Sequence, residues 1–304
     1  MNADLETSET DVERMRPRLL ALAYRMLGSA ADAEDAVQDA YLRYQQVSDV
    51  AAPDAWLVKA TTRLCIDRLR QAKRRETYFG PWLPEPVAET WAGAGDDSLE
   101  LAESLSMAFL VLLETLSPSE RAAYLLREVF GYEFEEIAAL LDKTPVNVRQ
   151  IVARARKHVD NKDRRFRSTA EQAEDLAARF FDACRSGDVH AIESLLTPDA
   201  VLYSDGGGKV HAAPRPLTDP RQIAKLLAVT FRKFYLHCDE SATIVNGRPG
   251  VFYSASGKAV SLVTFAENRG SVGTLYVVLN PDKLERWSFS GPEPINDTAS
   301  EPQS

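Results

Sequence analysis

The chain has 304 residues, 45% of them apolar and 27% charged, with a formal net charge of −9. That length admits two or three domains with sizeable cores. Its longest apolar run, Met107 to Leu113, is far short of the ~20 residues of a membrane span, and the acidic start MNADLETSETD is no signal peptide, so a cytoplasmic protein with no membrane contact is expected. Cys65, Cys184 and Cys238 lie far apart without CxxC or histidine spacing, which suggests neither a disulfide framework nor a zinc site; no metal or cofactor is expected.

RLLALAYRMLG, DAEDAVQDAYLRYQQ and DAWLVKATTRLCIDRLRQAKRR read as successive helices, punctuated by Gly28 and Pro53. The end of the third is basic: Lys59 to Arg75 holds seven Lys/Arg against one acid. FGPWLPEPVAETWAGAGDDS then reads as a linker, extended near its prolines, within an acidic strip, Glu76 to Glu103, that has seven acids and no base. Helices resume with LELAESLSMAFLVLLETL and with LSPSERAAYLLREVFG, where Ser117, Pro118 and Glu120 spell a capping box.

After Gly131, the helix FEEIAALL, a turn at Asp142-Lys143 and the helix TPVNVRQIVARARKHV make a helix-turn-helix. Thr144 suits the N-cap and Pro145 the first turn. Val148, Ile151, Val152, Ala155 and Val159 recur at helical spacing as a core face. The opposite arc carries Arg149, Gln150, Arg154, Arg156 and Lys157 and no acid. Net negative charge does not exclude a polyanionic partner, because exposed charges are screened beyond ~8 Å at physiological salt. Past Arg167 come AEQAEDLAARFFDACRSGD, AIESLL and PRQIAKLLAVTFRKFY as helices, then SATIV, GVFYSAS, AVSLVTFAE, GTLYVVL and LERWSF as strands of an antiparallel sheet. The tail after Pro292 reads as disordered.

Residues 12 to 166 resemble an extracytoplasmic-function sigma factor. AEDAVQDAYLRYQQ is similar to the region 2 helix that docks on RNA polymerase, DAWLVKATTRLCIDRLRQAKRR to the part that reads and melts the minus-10 element, and the helix-turn-helix to region 4, which reads the minus-35 element. The rest resembles a SnoaL-like, nuclear-transport-factor-2-like cone, with which WLPEP (Trp82 to Pro86), DGGGK (Asp205 to Lys209) and NPDKL (Asn280 to Leu284) are associated. The chain departs from the wider family at Arg63, where Asn is common, and at Asp142, where Gly is common. The implied fold is multi-domain, two all-α regions followed by an α+β cone: region 2 over 1–80, an acidic linker over 81–104, region 4 over 105–167, the SnoaL-like domain over 168–292 and a tail over 293–304.

The resemblance implies core RNA polymerase and promoter DNA as partners. Asp35, Gln38, Asp39 and Leu42 share one helical face suited to a basic polymerase surface. Arg149, Gln150, Arg154, Arg156 and Lys157 face DNA from region 4; Trp56, Arg63, Arg68, Arg70, Lys73 and Arg74 do so from region 2. Tyr44 and Trp56 can wall a pocket for an unstacked base, or Trp56 can be a core anchor. The acidic strip either rests where RNA leaves the polymerase or merely solubilises. WLPEP is expected to dock on the cone, where Trp82, Leu83 and Pro84 meet Asp205, Gly206, Gly207, Gly208, Lys209, Asn280, Pro281, Asp282 and Lys283 as a regulatory interface, with Asp205 in an exposed glycine turn and NPDKL closing a hairpin to LERWSF. Related cones include enzymes, so Asp205, Tyr203 and His211 are alternative catalytic candidates, and a small-molecule ligand is left open. The readings are a sigma factor regulated by its own cone, a DNA-binding regulator acting without polymerase, or a cone enzyme fused to a DNA-binding module.

Overall fold

The computed structural model describes residues 13–48, 50–71, 78–88, 90–91, 104–163 and 169–287. Lys73, Arg74, most of the acidic strip and the tail after Pro292 lie outside them. Three helices come first: α1 (Arg16–Leu27), α2 (Ala30–Tyr44) and α3 (Pro53–Gln71). Gly28 stops α1 in the left-handed region, φ 68°, and Ser29 caps α2 by accepting from the Asp32 N–H. Every residue of α1 from Leu19 to Leu27 is buried, so this helix is the centre of its bundle. Its Arg25 survives burial by donating to Ser104 Oγ at 2.8 Å and Ala21 O at 3.0 Å.

The second helical group is α4 (Met107–Leu113), α5 (Pro118–Tyr124) continuing into a π turn at Leu125–Val129, α6 (Phe134–Leu141) and α7 (Pro145–Asp163). The Ser117–Glu120 capping box forms as the sequence predicts, and Thr144 Oγ1 accepts from the Asn147 N–H at 3.3 Å. Val148, Ile151, Val152, Ala155 and Val159 are all buried. One apolar cluster runs from α1–α3 through Val87 into α4–α7, so the two groups share a core. Arg121, 2% exposed, crosses between them, pairing with Glu114 at 2.9 Å and donating to Met26 O at 2.7 Å.

The C-terminal domain sets α8 (Ala170–Ser186), α9 (Val189–Leu195) and α10 (Pro220–Lys233) on β1 (Leu196–Asp205), β2 (Asp239–Val245), β3 (Arg248–Ala255), β4 (Lys258–Asn268) and β5 (Ser271–Val278). The order is β1-β5-β4-β3-β2. The sheet is mixed, since β1 runs parallel to β5 and the other pairs are antiparallel. Pro198 and Asp199 interrupt the alternation of β1, which hides this strand from a pattern reading. NPDKL does not close a hairpin. Asn280 accepts from the Asp282 N–H at 3.1 Å, Pro281 fits the first turn, and a short helix α11 (Pro281–Leu284) forms in place of the expected start of a strand at LERWSF.

One face of the sheet, the one the helices cover, is filled by Phe180, Phe181, Phe231, Tyr235, Tyr253 and Phe265. Its other face, with Phe252, Leu262, Tyr276 and Val278, closes over Leu83 and over Met107 and Ala108 of α4. The linker is thereby held between the sheet and the helical half.

Candidate functional site

Opposite its buried stripe, α7 exposes Arg149, Gln150, Arg154, Arg156 and Lys157. Arg149 is held by Glu135 at 2.8 Å and lies 5.1 Å over the Phe134 ring, whose other near cation is Arg127 at 4.6 Å. Arg156 pairs with Glu128 at 2.7 Å. Both pairs are exposed and therefore weak, so the guanidinium forks stay exchangeable for other acceptors. Phe134, Glu135 and Glu128 are missing from the sequence-based site, because nothing in their spacing shows that they converge on α7.

On α3, Trp56 is half-buried and meets Tyr44 edge-on, 5.6 Å between centroids. It is both a partner of the core and a wall of an open cleft of about 580 Å³, lined also by Val47, Lys59, Tyr132 and Leu140, between the two helical groups. The cations of α3 are engaged. Lys59 donates to Ala139 O at 2.8 Å and pairs with Asp142 at 3.0 Å, and Arg63 pairs with the other oxygen of Asp142. Arg68 pairs with Asp39 at 2.7 Å and donates to Asp32 O at 2.5 Å; Arg70 is 3.6 Å from Asp67. So Asp39, expected to face a polymerase, and Arg68, expected to face DNA, bind each other across α2 and α3. Asp35, Gln38 and Leu42 stay exposed on the α2 face.

WLPEP docks as expected, though through a different chemistry. Asp205 is 1% exposed, not in an open turn. Period-2 alternation along β1 puts Leu202 in the core under the helices and Tyr203 and Asp205 on the linker side. There Asp205 pairs with Lys283 at 2.6 Å, accepts the Leu83 N–H at 2.9 Å and the Gly207 N–H at 3.0 Å, and accepts from the Tyr78 hydroxyl at 2.5 Å. Burial pushes the Tyr78 phenol well above its ordinary value, and Asp205 pushes it further, so Tyr78 remains a donor. Lys283 also donates to Leu83 O and lies 4.4 Å over the Trp82 ring. Trp82 in turn covers Gly28, where an added Cβ would sit 2.6 Å from the ring. Gly206 is buried, Gly207 packs on the Asn280 amide and Gly208 is exposed beside Phe79. Lys209 and Asp282 pair with each other at 2.5 Å, both exposed, and among the described residues no hydrogen bond or ion pair joins them to the helical half.

Residues outside these motifs complete the contact. Asn246, in the β2–β3 turn with φ 52° and 1% exposure, donates to Tyr24 Oη at 2.7 Å and Leu105 O at 3.0 Å and accepts from the Val87 N–H at 3.1 Å. Tyr24 donates to Glu85 O at 2.6 Å; burial holds its phenol far above the usual range despite the Asn246 amide. Arg286 binds Glu34 at 2.7 and 2.9 Å and Glu85 at 3.2 Å, while Glu85 accepts the Ala30 N–H at the start of α2 at 2.8 Å. Asn246-Gly247 is visible in the sequence only as a hairpin turn. Of the alternative catalytic candidates, Asp205 is consumed by this contact, Tyr203 stacks on Tyr276 on the linker side of the sheet, and His211 is exposed.

Residues 12–75 match the Sigma-70 region 2 family and residues 106–159 the Sigma-70, region 4 family. The ECF RNA polymerase sigma factor SigJ of Mycobacterium tuberculosis is 34% identical over 92% of this chain and 93% of its own length. The same organism's probable ECF RNA polymerase sigma factor SigI is 26% identical over 89% and 92%. The crystal structure of M. tuberculosis SigJ superposes with a TM-score of 0.73, at 31% identity, over 91% of this chain and 98% of that one. Among the described residues no helix is long and apolar enough to cross a membrane.

Proposed function

Because the chain belongs to the extracytoplasmic-function RNA polymerase sigma factors, we propose that it binds core RNA polymerase through the exposed α2 face of Asp35, Gln38 and Leu42, with Asp39 contributing once Arg68 is turned to DNA. Region 4 reads the minus-35 element with Arg149, Gln150 and Arg154, while Arg156 and Lys157 neutralise phosphates. Region 2 engages the minus-10 element along α3, with Trp56 and Tyr44 offering an aromatic wall to an unstacked base. Sigma factors are DNA-binding initiation factors, and the cone adds a regulatory body instead of an active site. The chain divides at 80/81, 104/105, 167/168 and 292/293, with regions 2 and 4 sharing one core in the free chain.

The observation that carries this reading is that both sigma regions occur in order in this chain, which matches a sigma factor over nearly its full length, and that α7 presents a basic arc opposite a wholly buried stripe. The cone's role is supported by the way Asp205, Lys283, Asn246 and Arg286 grip the linker and α1–α2. Run-off transcription with core enzyme on promoter fragments tests the reading: the full chain must direct initiation. A chain that binds DNA without core enzyme and never directs initiation would instead be a regulator acting alone.

A further inference from the structure

Arg63 of α3 and Asp142 at the end of α6 meet each other. Asp142 ends α6 in the left-handed conformation, φ 51°, which turns its carboxylate back toward α3. One oxygen takes Lys59 and the other takes Arg63, while Lys59 also reaches the C-terminal carbonyl of Ala139, where a helix end favours a cation. Lys59 and Arg63 are one helical turn apart, so without the shared acid between them they repel. The site lies on the rim of the cleft that Trp56 walls.

Distance makes this contact incompatible with promoter engagement. By the positions that name them, the minus-10 and minus-35 elements are centred roughly 25 base pairs apart, or about 85 Å at about 3.4 Å per step. The 19 residues of α7 span only about 28 Å, and they begin three residues after Asp142. All of α7 therefore lies within about 40 Å of Arg63. Region 4 must leave region 2 before both elements can be occupied.

We infer that Asp142 is a latch, holding Lys59 and Arg63 so that the free chain rests in a closed, promoter-incompetent arrangement, and that DNA phosphate replaces the Asp142 carboxylate when the chain opens. The latch supplements the shared apolar core and does not replace it. Each exposed ion pair shifts the closed-to-open ratio by up to about fivefold, and a ligand that binds only the open form experiences that ratio as weakened affinity. The same two cations serve both states, so what resists opening in the free chain is what grips DNA afterwards. This rests on the reading of α3 as a DNA-facing helix given above.

The test places a donor and an acceptor on Gln45→Cys and His158→Cys in a Cys238→Ser background and titrates the full-length chain with core polymerase, then with promoter duplex. Energy transfer falls as region 4 leaves region 2. Asp142→Asn, which keeps a side chain tolerant of the left-handed backbone, brings the midpoint to a two- to tenfold lower polymerase concentration, on the order of one or two exposed pairs. In a Lys59→Gln, Arg63→Gln background the same substitution shifts nothing. An equal shift in both backgrounds means general repulsion and overturns the latch, as does unchanged transfer on polymerase binding. Arg149→Ala with Arg154→Ala reports separately: if promoter selectivity survives it, the promoter reading fails while the polymerase-driven midpoints still judge the latch.

Discussion

Asp205→Ala removes the centre of the contact between the cone and the linker, and its cost can be worked from the structure. Asp205 is 1% exposed, and the Lys283 side chain beside it is 12% exposed. Removing one partner of such a pair costs about 3–5 kcal/mol, because the other charge is left buried without compensation. The Leu83 N–H also loses its acceptor, worth about 1–3 kcal/mol alone. These share one network and do not simply add, so about 4 kcal/mol is expected in urea unfolding, or about 10 °C in Tm. Lys283→Met added to Asp205→Ala should recover at least half of this loss, since the stranded ammonium is gone. Asp205→Asn should cost less than Asp205→Ala, as one acceptor oxygen remains. A loss below about 1 kcal/mol for Asp205→Ala, or a double variant no more stable than the single, would show that the pair is not the anchor described.

Gly28→Ala should cost about 1–3 kcal/mol, because φ is 68° and the new Cβ would overlap Trp82; Trp82 leaving its seat is read as a red shift in emission that Trp82→Phe abolishes. Arg149→Ala and Arg154→Ala should each cost about 1–3 kcal/mol in promoter affinity and relax base preference, whereas Lys157→Ala should weaken all sequences evenly and flatten the salt slope by about one; footprinting across salt concentrations separates the two. Asp35→Arg should lower affinity for core polymerase without changing the melting curve, while Asp39→Arg should also lose stability through repulsion of Arg68, about 0.2–1 kcal/mol for an exposed pair. Burial raises the Glu34 carboxyl, but hydrogen bonds from Arg286 and Trp91 outweigh it and leave the value below the ordinary one. A lowered folded value means stability present above the unfolded carboxyl value of about 4.3 and lost as pH falls through the folded one. Glu34→Gln should therefore reduce stability at pH 7 and become silent at the acid end of a urea series.

Local signals carried the helices. The Ser117 capping box, the Thr144 cap with Pro145 after it, and the buried stripe from Val148 to Val159 are all written within a few residues of where they act. The linker's docking was legible as an oddly rigid motif, and Lys283 and Asp205 were found through their motifs. What escaped was long-range. Asp205 looks like a surface turn because its glycines are adjacent in sequence, whereas Lys283 and Leu83, which let it be buried, are 78 and 122 positions away. Asn280-Pro281 carries both turn and helix-start chemistry, and only the cap on Asp282 decides between them. Arg286, Glu85 and Asn246 carry no local pattern that tells a gripping residue from a solvated one. Asp35, Gln38, Leu42, Arg149, Gln150, Arg154, Arg156 and Lys157 are exposed as their helical spacing suggests, but that Arg68 pairs with Asp39 and Arg63 with Asp142 follows from helix packing and not from spacing.

Asn246 has a consequence for synthesis. Its amide satisfies the Leu105 carbonyl, 141 positions earlier, and the Tyr24 hydroxyl, 222 positions earlier. A ribosome adding about 5–20 residues per second needs roughly 7–28 s to travel from Leu105 to Asn246. In the later part of that interval, once Asp163 has been added, the nascent chain holds a complete region 2 and helix-turn-helix while the contacts of Asn246 are still unmade and the face that the sheet will cover is exposed to water. Translation speed across the α8–β2 coding segment thus sets how long a cone-less sigma factor exists, and a pause there would lengthen the window in which polymerase can meet it before its own C-terminal domain does.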